Sequence, residues 1–188
     1  MENDQRLLDC ALAQFRQRGY DAVSVREIVE AAGVTKPTLY HYFSSKQGLL
    51  NALVKREAGL LLANVFPAAD FHGDLVLTLE SIVRAYFEFA QKHHVFYRFH
   101  LACFFSPPES QANQAMRPFI DQQNEMLENL FMRATENYGN LRDKHSRLAV
   151  SFLGGINALI GLKLNGKLNL SDALVYQTVH QFMYGIFS

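Results

Sequence analysis

Apolar residues recur three and four positions apart along almost the whole chain, and no segment alternates regularly between apolar and polar residues. This spacing gathers apolar side chains on one face of an α-helix, so it predicts an all-α protein. Glycine and proline residues interrupt the pattern at a few places and divide it into about nine helices. The predicted helices cover approximately residues 3–18, 24–32, 35–43, 44–66, 74–93, 94–105, 109–138, 145–165 and 171–186.

The second predicted helix has a recognisable beginning and end. Ser24 and Glu27 have the spacing of a capping box, in which the two residues satisfy each other's free backbone N–H groups. Gly33 follows the helix and can adopt the left-handed conformation that a tight turn needs. Three short helices with such a turn between the second and third predict a helix-turn-helix, whose recognition helix enters the major groove of DNA.

The third predicted helix begins at Thr35, whose hydroxyl can cap it. Pro37 lies in its first turn, where the missing N–H costs nothing. Ser44 is expected to end this helix and to cap the fourth one, with Gln47 at the capping-box position. The fourth helix is expected to end before Pro67.

The third helix is predicted to have one packing face and one contact face. At 100° per residue, Leu39 and Phe43 share one side and should pack inward. Thr38, His41 and Tyr42 lie together on the other side, where they can reach base edges, thymine methyl groups and phosphates. The alternative is that these rings are half-buried and only stabilise a small helical domain.

Charge supports a local nucleic-acid surface but excludes a uniformly basic one. The 188 residues include 49% hydrophobic residues, and 18 basic residues balance 18 acidic ones. That is ordinary globular composition with zero formal net charge. Between Thr35 and Arg56, however, the chain carries Lys36, Lys46, Lys55 and Arg56 without a single acidic residue.

Cysteine content and hydropathy predict a soluble cytoplasmic protein. Cys10 and Cys103 lie far apart and do not resemble the disulfide framework of a secreted protein. The N-terminus lacks the basic and apolar regions of a signal peptide. The apolar stretch from Leu148 to Leu162 contains serine, glycine and asparagine and falls short of the ~20 apolar residues of a membrane span.

The segment from Ser24 to Lys46, which includes AGVTKPTLYHYFSSK, resembles the DNA-binding domain of TetR-family transcriptional regulators. The resemblance extends from about Arg6 to Leu53. It implies a homodimeric repressor that binds a palindromic operator and is released by a small ligand. The chain is accordingly divided into a helix-turn-helix DNA-binding domain, residues 1–50, and a helical effector-binding and dimerisation domain, residues 51–188.

The resemblance also assigns roles to individual residues of this sequence. Thr38 and Tyr42 are implied to contact bases or the groove, and Pro37 to make apolar groove contact. Tyr40 and Lys46 are implied to bind phosphate, and Arg26 to reach the groove from the second helix. The predicted DNA-contacting set is Ser24, Arg26, Thr35, Lys36, Pro37, Thr38, Tyr40, His41, Tyr42 and Lys46.

Several polar residues interrupt apolar helical stripes in the C-terminal part of the chain. Buried polar groups need partners, and a pocket with apolar walls and a few polar anchors would provide them for an apolar or aromatic effector. The alternative is that each group is satisfied within the core or at a subunit interface. The predicted effector-binding set is Tyr86, Phe89, Phe99, His100, Cys103, Phe119, Gln123 and Asn157.

Residues in the same region also suggest two weaker alternatives to an organic effector, namely metal binding and redox control. His93, His94, His100 and Cys103 are suitable ligand types, but their spacing matches no recognised site. Nothing nearby argues for a lowered thiol pKa. No metal and no cofactor are therefore predicted.

The last two helices are predicted to form the dimer interface. Small residues lie along one side of the helix near residues 145–165, where they permit close helix packing, and the last helix adds apolar residues up to Ile186. The resemblance implies a four-helix bundle formed with the second copy; packing within one subunit is the alternative. The predicted interface set is Ser151, Gly154, Gly155, Ala158, Gly161, Val175, Val179, Phe182 and Met183.

Three other functions compete with a ligand-controlled repressor. An activator of the same fold is compatible with every predicted residue, and so is a helical interaction module without ligand control. An enzyme is not supported, because the sequence has no phosphate-binding loop, nucleophile elbow or paired-carboxylate arrangement.

Overall fold

The computed structural model describes residues 3–185, and this part of the chain contains helices and no strands. The all-α prediction is therefore confirmed. The helices are α1 (Asn3–Arg18), α2 (Val25–Ala32), α3 (Lys36–Phe43), α4 (Lys46–Ala68), α5 (Leu75–Lys92), α6 (His94–Phe104), α7 (Gln111–Ala134), α8 (His145–Leu164) and α9 (Asp172–Tyr184), with a short 3-10 helix at Gly139–Leu141. Ile186, predicted at the end of the last helix, lies outside the described residues.

The chain forms two compact units, and each is made from two segments. Residues 1–59 and 95–118 form the first unit, and residues 60–94 and 119–188 form the second. The domain boundary predicted near residue 50 stays a prediction. Helix α4 runs through that position without interruption.

The first unit has a core formed by one face of each of its short helices. Leu7, Phe15, Ile28 and Leu39 are fully buried or nearly so, and they come from α1, α2 and α3. The ring of Phe99 stacks on Phe15 with centroids 6.0 Å apart. Burial of these apolar side chains, at about 25 cal/mol per Å², supplies the stability that such short helices lack on their own.

The second unit packs α5 against α9 and α8. Leu75, Leu79 and Ile82 of α5 are fully buried. Three phenylalanine rings form a cluster between α7, α8 and α9, with centroids 4.9 to 6.3 Å apart. These are Phe131, Phe152 and Phe182.

Helices α4 and α7 differ most from the sequence predictions, and α7 spans Gln111–Ala134 where residues 109–138 were predicted. Helix α4 continues through Pro67 to Ala68 instead of ending before the proline. Proline removes one backbone donor, but it lies here in the last turn and is exposed, so the cost of an interior proline is reduced. Helix α7 begins at Gln111 because the Ser110 side chain caps it, accepting from the Asn113 N–H at 3.2 Å.

Among residues 3–185, one helix is long and apolar enough to cross a membrane by length and composition, namely α8. The core helix of a soluble protein passes the same test. Phe152, Ile156 and Ile160 of this helix are buried inside the chain. Its apolar character is thus partly explained by core packing.

Candidate nucleic-acid interface

Helix α2 is fixed at both ends by local hydrogen bonds. The predicted capping box is confirmed: the Ser24 hydroxyl accepts from the Glu27 N–H at 3.3 Å, and Glu27 Oε2 accepts from the Ser24 N–H at 2.7 Å. Gly33 has φ 63° and ends the helix in the left-handed conformation. The Arg6 guanidinium donates to the Ala32 carbonyl and fastens α1 to this turn.

The turn delivers the chain into α3 with a defined start. The Thr35 hydroxyl accepts from the Thr38 N–H at 3.4 Å, and the two hydroxyl oxygens lie 2.9 Å apart. Pro37 lies in the first turn, as predicted. Thr35 is exposed and Thr38 is half-buried, so both remain at the surface while they organise the helix start.

Helix α3 has the two faces that its sequence predicts. Leu39 is completely buried, whereas Phe43 is only half-buried. Tyr40 and Tyr42 are each 46% exposed. His41 is exposed and its ring meets that of Tyr42 edge-on at 5.3 Å. An inward leucine therefore holds a row of solvent-facing rings at the surface.

The corner between α3 and α4 differs from the prediction. Ser44 adopts the left-handed conformation with φ 62° and ends α3, so it cannot also cap α4. Ser45 provides the cap instead, and its hydroxyl accepts from the Gly48 N–H at 2.9 Å. The predicted pairing of Ser44 with Gln47 is wrong because one extra residue is used to turn the corner.

Gly48 is a residue of this site that sequence reasoning missed. A Cβ atom at this position would lie 1.9 Å from the Phe43 carbonyl oxygen, far inside any real contact distance. Only glycine allows the first turn of α4 to approach the last turn of α3 so closely. A glycine in the first turn of an otherwise apolar helix was the available signal.

Most arginines of the first unit are used in internal contacts. Arg18 donates to Glu27 at 2.5 Å, and this bond, with those from the capping box, lowers the pKa of the Glu27 carboxyl to about 2. Arg26 pairs with Glu30 at 2.6 Å, but its side chain is 74% exposed, and exposed pairs of this kind contribute little and exchange readily. Arg56 pairs with Asp9 and Glu57 at 2.7 and 2.8 Å.

Three lysines lie in the segment from Thr35 to Arg56, which has no acidic residue, and their surroundings differ. Lys36 and Lys55 make no hydrogen bond or ion pair with any residue that the structure describes, and both are exposed. Lys46 is half-buried, and its ammonium donates to the Tyr20 carbonyl at 2.6 Å. Lys36 and Lys55 can therefore approach phosphates directly, whereas Lys46 is already occupied.

Helix α3 is a short helix that is held by α1 and α2, is anchored by the buried Leu39 and exposes a row of rings. Two lysines without internal partners among the described residues, Lys36 and Lys55, lie on α3 and α4. This arrangement defines a helix-turn-helix DNA-binding regulator.

Comparison with known proteins gives the family. Residues 7–53 match the family of bacterial regulatory proteins described as tetR. The chain is 29% identical over 135 residues to the HTH-type transcriptional repressor KstR2 of Mycobacterium tuberculosis, covering 68% of each chain. It is 37% identical over 97 residues to the HTH-type transcriptional activator FasR of Mycolicibacterium smegmatis, covering 52% of this chain and 44% of that protein. Residues 7–53 therefore match the DNA-binding domain of the TetR family of transcriptional regulators, as the sequence resemblance implies.

The fold extends this likeness beyond the N-terminal region. The transcriptional regulator FadR from Bacillus subtilis, solved in complex with stearoyl-CoA, superposes with a TM-score of 0.79 over 97% of this chain and 98% of its own. The identity is 18%, so this likeness establishes the fold alone.

The predicted effector-binding residues divide between the two units. Phe99, His100 and Cys103 belong to the first unit, and the other five belong to the second. In the second unit the Tyr86 hydroxyl donates to Gln123 Oε1 at 2.9 Å, and Gln123 Nε2 donates to the Phe119 carbonyl at 3.0 Å. These groups satisfy one another, which removes the reason for assigning Gln123 to a ligand. Phe89 and Asn157 are buried in the same unit.

His100 is the buried polar side chain whose environment remains unusual. It is enclosed by the rings of Phe96 and Tyr97, 6.2 and 5.5 Å away, and its Nδ1 atom has no hydrogen-bond partner among the described residues. Burial lowers the pKa of His100 to about 4 and raises that of the Cys103 thiol to about 12. The neutral imidazole is therefore the form present at neutral pH.

The described residues contain no group of three potential metal ligands close enough to share an ion. His93 stacks on Phe89 at 4.4 Å, and His94 is exposed. The thiol of Cys103 is buried and its raised pKa disfavours the reactive thiolate.

Two of the surface cavities in the second unit bear on the predicted sites. A cavity of about 630 Å³ lies beside the end of α4 and α7, with an apolar lining from Phe66, Pro67 and Met126 and polar groups from Asp70 and Arg133. A cavity of about 410 Å³ lies between α8 and α9. The second one is lined partly by members of the predicted interface set, namely Ser151, Gly155, Ala158 and Phe182.

The predicted interface set needs one revision. Val175 and Val179 are buried within the chain itself, at 3% and 0% exposure, because α9 packs this face against α5. They have no surface left for a second copy, and we remove them from the set. Exposed members remain on α8, and Gly161, Phe182 and Met183 are half-buried.

Proposed function

We propose that this protein is a homodimeric repressor that binds a palindromic operator through α3 and is released by a largely apolar effector. The observation that carries the proposal is the outward face of α3, where His41 and Tyr42 are held exposed by the buried Leu39. As a DNA-binding regulator of this family, the protein acts in the cytoplasm.

The DNA-contacting surface is formed by α3 and the beginning of α4. Thr38, His41 and Tyr42 face base edges in the major groove, and Pro37 provides apolar contact with a thymine methyl group. Tyr40 and the free ammonium groups of Lys36 and Lys55 lie toward the phosphates, which fix the position of the helix but do not read sequence.

The first test measures binding to a palindrome selected from a randomised duplex library. Tyr42→Ala should lower affinity about tenfold or more, the cost of one lost base contact. Phe105→Ala is the matched control, because this ring is 79% exposed in the same unit but lies outside the helix-turn-helix. Equal affinities for Tyr42→Ala and the unchanged protein would reject the docking of α3.

Dimerisation is assigned to the outward face of α8 together with the end of α9. Ser151, Gly154, Gly155 and Ala158 are exposed and follow the i, i+3, i+4, i+7 spacing of one helix face. Only 28% of the most apolar part of α8 is buried within one chain. Exposed apolar surface of this kind is typical of a protein interface, and a two-fold dimer presents two recognition helices to two half-sites.

Sedimentation at micromolar concentration tests the dimer. Gly155→Arg places a long cation on the assigned face and should give monomers with reduced operator affinity. Gly139→Arg is the control, since neither glycine has an atom within 4 Å of the added Cβ position and Gly139 lies outside the face. A monomeric unchanged protein would contradict the proposal.

The effector is a largely apolar compound, and an acyl thioester is the class to test first. Support comes from the complex of FadR with stearoyl-CoA and from the 630 Å³ cavity, which combines apolar side chains such as Phe66 and Met126 with charged ones such as Asp70 and Arg133. Such a ligand must bind the DNA-incompetent conformation more tightly than the competent one. Stearoyl-CoA should therefore release the operator in a gel-shift titration and coenzyme A should not; equal behaviour of the two would exclude this class.

A reporter gene placed behind the selected operator distinguishes a repressor from an activator. Removing the regulator should raise expression if the protein represses, in line with the repressor KstR2 that matches over the longer part of the chain. Lower expression would show an activator, in line with FasR.

A further inference from the structure

A cavity of about 200 Å³ lies in the second unit, apart from the sites described above. It is formed where the first residue of α5 and the last turns of α7 and α9 meet residues 138–148, which hold the loop before α8 and the start of that helix. None of its lining residues belongs to the predicted effector-binding set or to the 630 Å³ cavity. The cavity is therefore a candidate site for a ligand of its own.

Apolar side chains supply most of the cavity wall. Leu75 and Phe131 are completely buried. Leu141, Leu148 and Met183 are half-buried, so each keeps apolar surface that the chain does not cover. A dry cavity of roughly 150 Å³ lined by such side chains is large enough for benzene. The present volume therefore accommodates an aromatic ring with one attached carbon, about seven carbons in all.

Lys144 adds a positive charge to this apolar wall. Its side chain is exposed, and its ammonium donates to the Asn140 carbonyl at 2.8 Å. An ammonium group has three N–H donors, so donors remain for a ligand. A carboxylate would accept from them in a charge-assisted hydrogen bond, which is roughly twice as strong as a neutral one.

The charges near Lys144 also favour an anion. The segment LRDKHSR, residues 141–147, contains three lysine or arginine residues and a single acidic one, Asp143. Helix α8 begins at His145, and the Lys144 side chain does not cap it, so the first N–H groups of this 20-residue helix gain no partner from it. The positive end of a helix dipole stabilises a nearby negative charge. A ligand with one carboxylate thus matches the charge at this wall.

We propose that this cavity binds a small aromatic carboxylate, with its ring against Phe131 and Met183 and its carboxylate on the Lys144 ammonium. The apolar body of such a ligand has about seven carbons, as the volume allows. Binding here requires neither operator DNA nor the 630 Å³ cavity, so this site goes beyond the function proposed above and is tested separately from it.

The probe is para-toluate, because its methyl-substituted ring matches the volume and carries a single carboxylate. Methionine methyl groups report where it binds, since Met183 lines this cavity and Met126 lines the 630 Å³ cavity. Titration of the intact, isotope-labelled protein should shift the NMR signal of Met183 and leave that of Met126 unchanged. A Kd of about 1 mM or lower is expected for a ligand of this size. Met183→Leu and Met126→Leu assign the two signals.

Two substitutions test the charge and the volume of the site. Lys144→Gln removes the charge and should weaken para-toluate binding roughly tenfold, and the neutral para-toluamide should bind the unchanged protein equally weakly. Lys167→Gln is the matched control, because Lys167 is exposed in the same unit but does not line the cavity. Leu148→Phe narrows the cavity and should also weaken binding. Overpacking disturbs some folds, so the exposed Lys144 is the deciding position.

The site is supported by a saturating Met183 shift, roughly tenfold weaker binding in Lys144→Gln and unchanged binding in Lys167→Gln. A shift of Met126 alone, equal affinities of Lys144→Gln and Lys167→Gln, or equal affinities for para-toluate and para-toluamide would overturn it. So would the absence of a saturating Met183 shift up to about 10 mM para-toluate. Operator binding does not enter these measurements, so a negative result here leaves the proposed repressor function untouched.

Discussion

The corner between α3 and α4 permits a sharp test at Gly48. The substitution Gly48→Ala adds one methyl group, whose carbon would lie 1.9 Å from the Phe43 carbonyl oxygen. The obstacle is backbone and cannot rotate away. Ordinary contact begins at 3.4 Å, so the two helix ends must separate by about 1.5 Å.

Two opposing effects determine the size of the loss. Alanine in place of glycine inside a helix gains up to ~1 kcal/mol from helix propensity. Forcing an extra methyl group into a packed site costs ~1–3 kcal/mol and occasionally more. Because the contact here is with fixed backbone, we expect the upper part of that range and a net destabilisation of about 2 kcal/mol.

Gly59→Ala supplies the matched control in the same helix. Gly59 also lies in α4, but a Cβ atom there has no neighbour within 4 Å. This variant should therefore be unchanged or more stable by up to ~1 kcal/mol. The two substitutions are chemically identical, so the difference between them isolates the close approach at the corner.

The assay combines urea unfolding with operator binding. Gly48→Ala should unfold at lower urea than Gly59→Ala and should bind the operator roughly tenfold more weakly, because α3 is displaced relative to its base contacts. If Gly48→Ala were as stable as Gly59→Ala and bound DNA equally well, the corner would not have the geometry described above.

Three further predictions concern buried and capping groups. Tyr86→Phe leaves the buried Gln123 carbonyl unpaired, so urea unfolding should show a loss of about 1–3 kcal/mol; no loss would mean that the bond is absent in solution. The pKa of His100 is lowered from 6.5 to about 4 by burial, so stability should fall as pH decreases between these values, while His100→Phe should flatten that part of the stability curve. Hydrogen bonds from Arg18 and from the helix cap lower the pKa of Glu27 from 4.5 to about 2, so the stability that Glu27 contributes should be present above pH 4.5 and lost toward pH 2. Glu27→Gln should remove this part of the pH dependence of unfolding. If the pH dependence persisted in Glu27→Gln, it would belong to other carboxyl groups.

The sequence by itself determined that the protein is all-α and how α2 and α3 of the DNA-binding region begin and end. Three features of this region could be read from the sequence: the capping box at Ser24, the left-handed Gly33 and the proline in the first turn of α3. Each of them depends only on residues within about four positions of itself. The two faces of α3 follow from the helical period alone, which is why Leu39 could be assigned to the core. Interactions of this range depend on local backbone geometry and can be read directly from the chain.

The tertiary structure decided what each surface and polar group actually contacts. Lys46 meets Tyr20 across 26 positions of sequence, so the pattern around it could not reveal that its ammonium is occupied. Val175 and Val179 could face a second copy or α5 equally well by periodicity, and only packing places them inside. The need for glycine at position 48 likewise arises from the approach of two helix ends, because a residue's available space depends on neighbours that the local sequence does not specify.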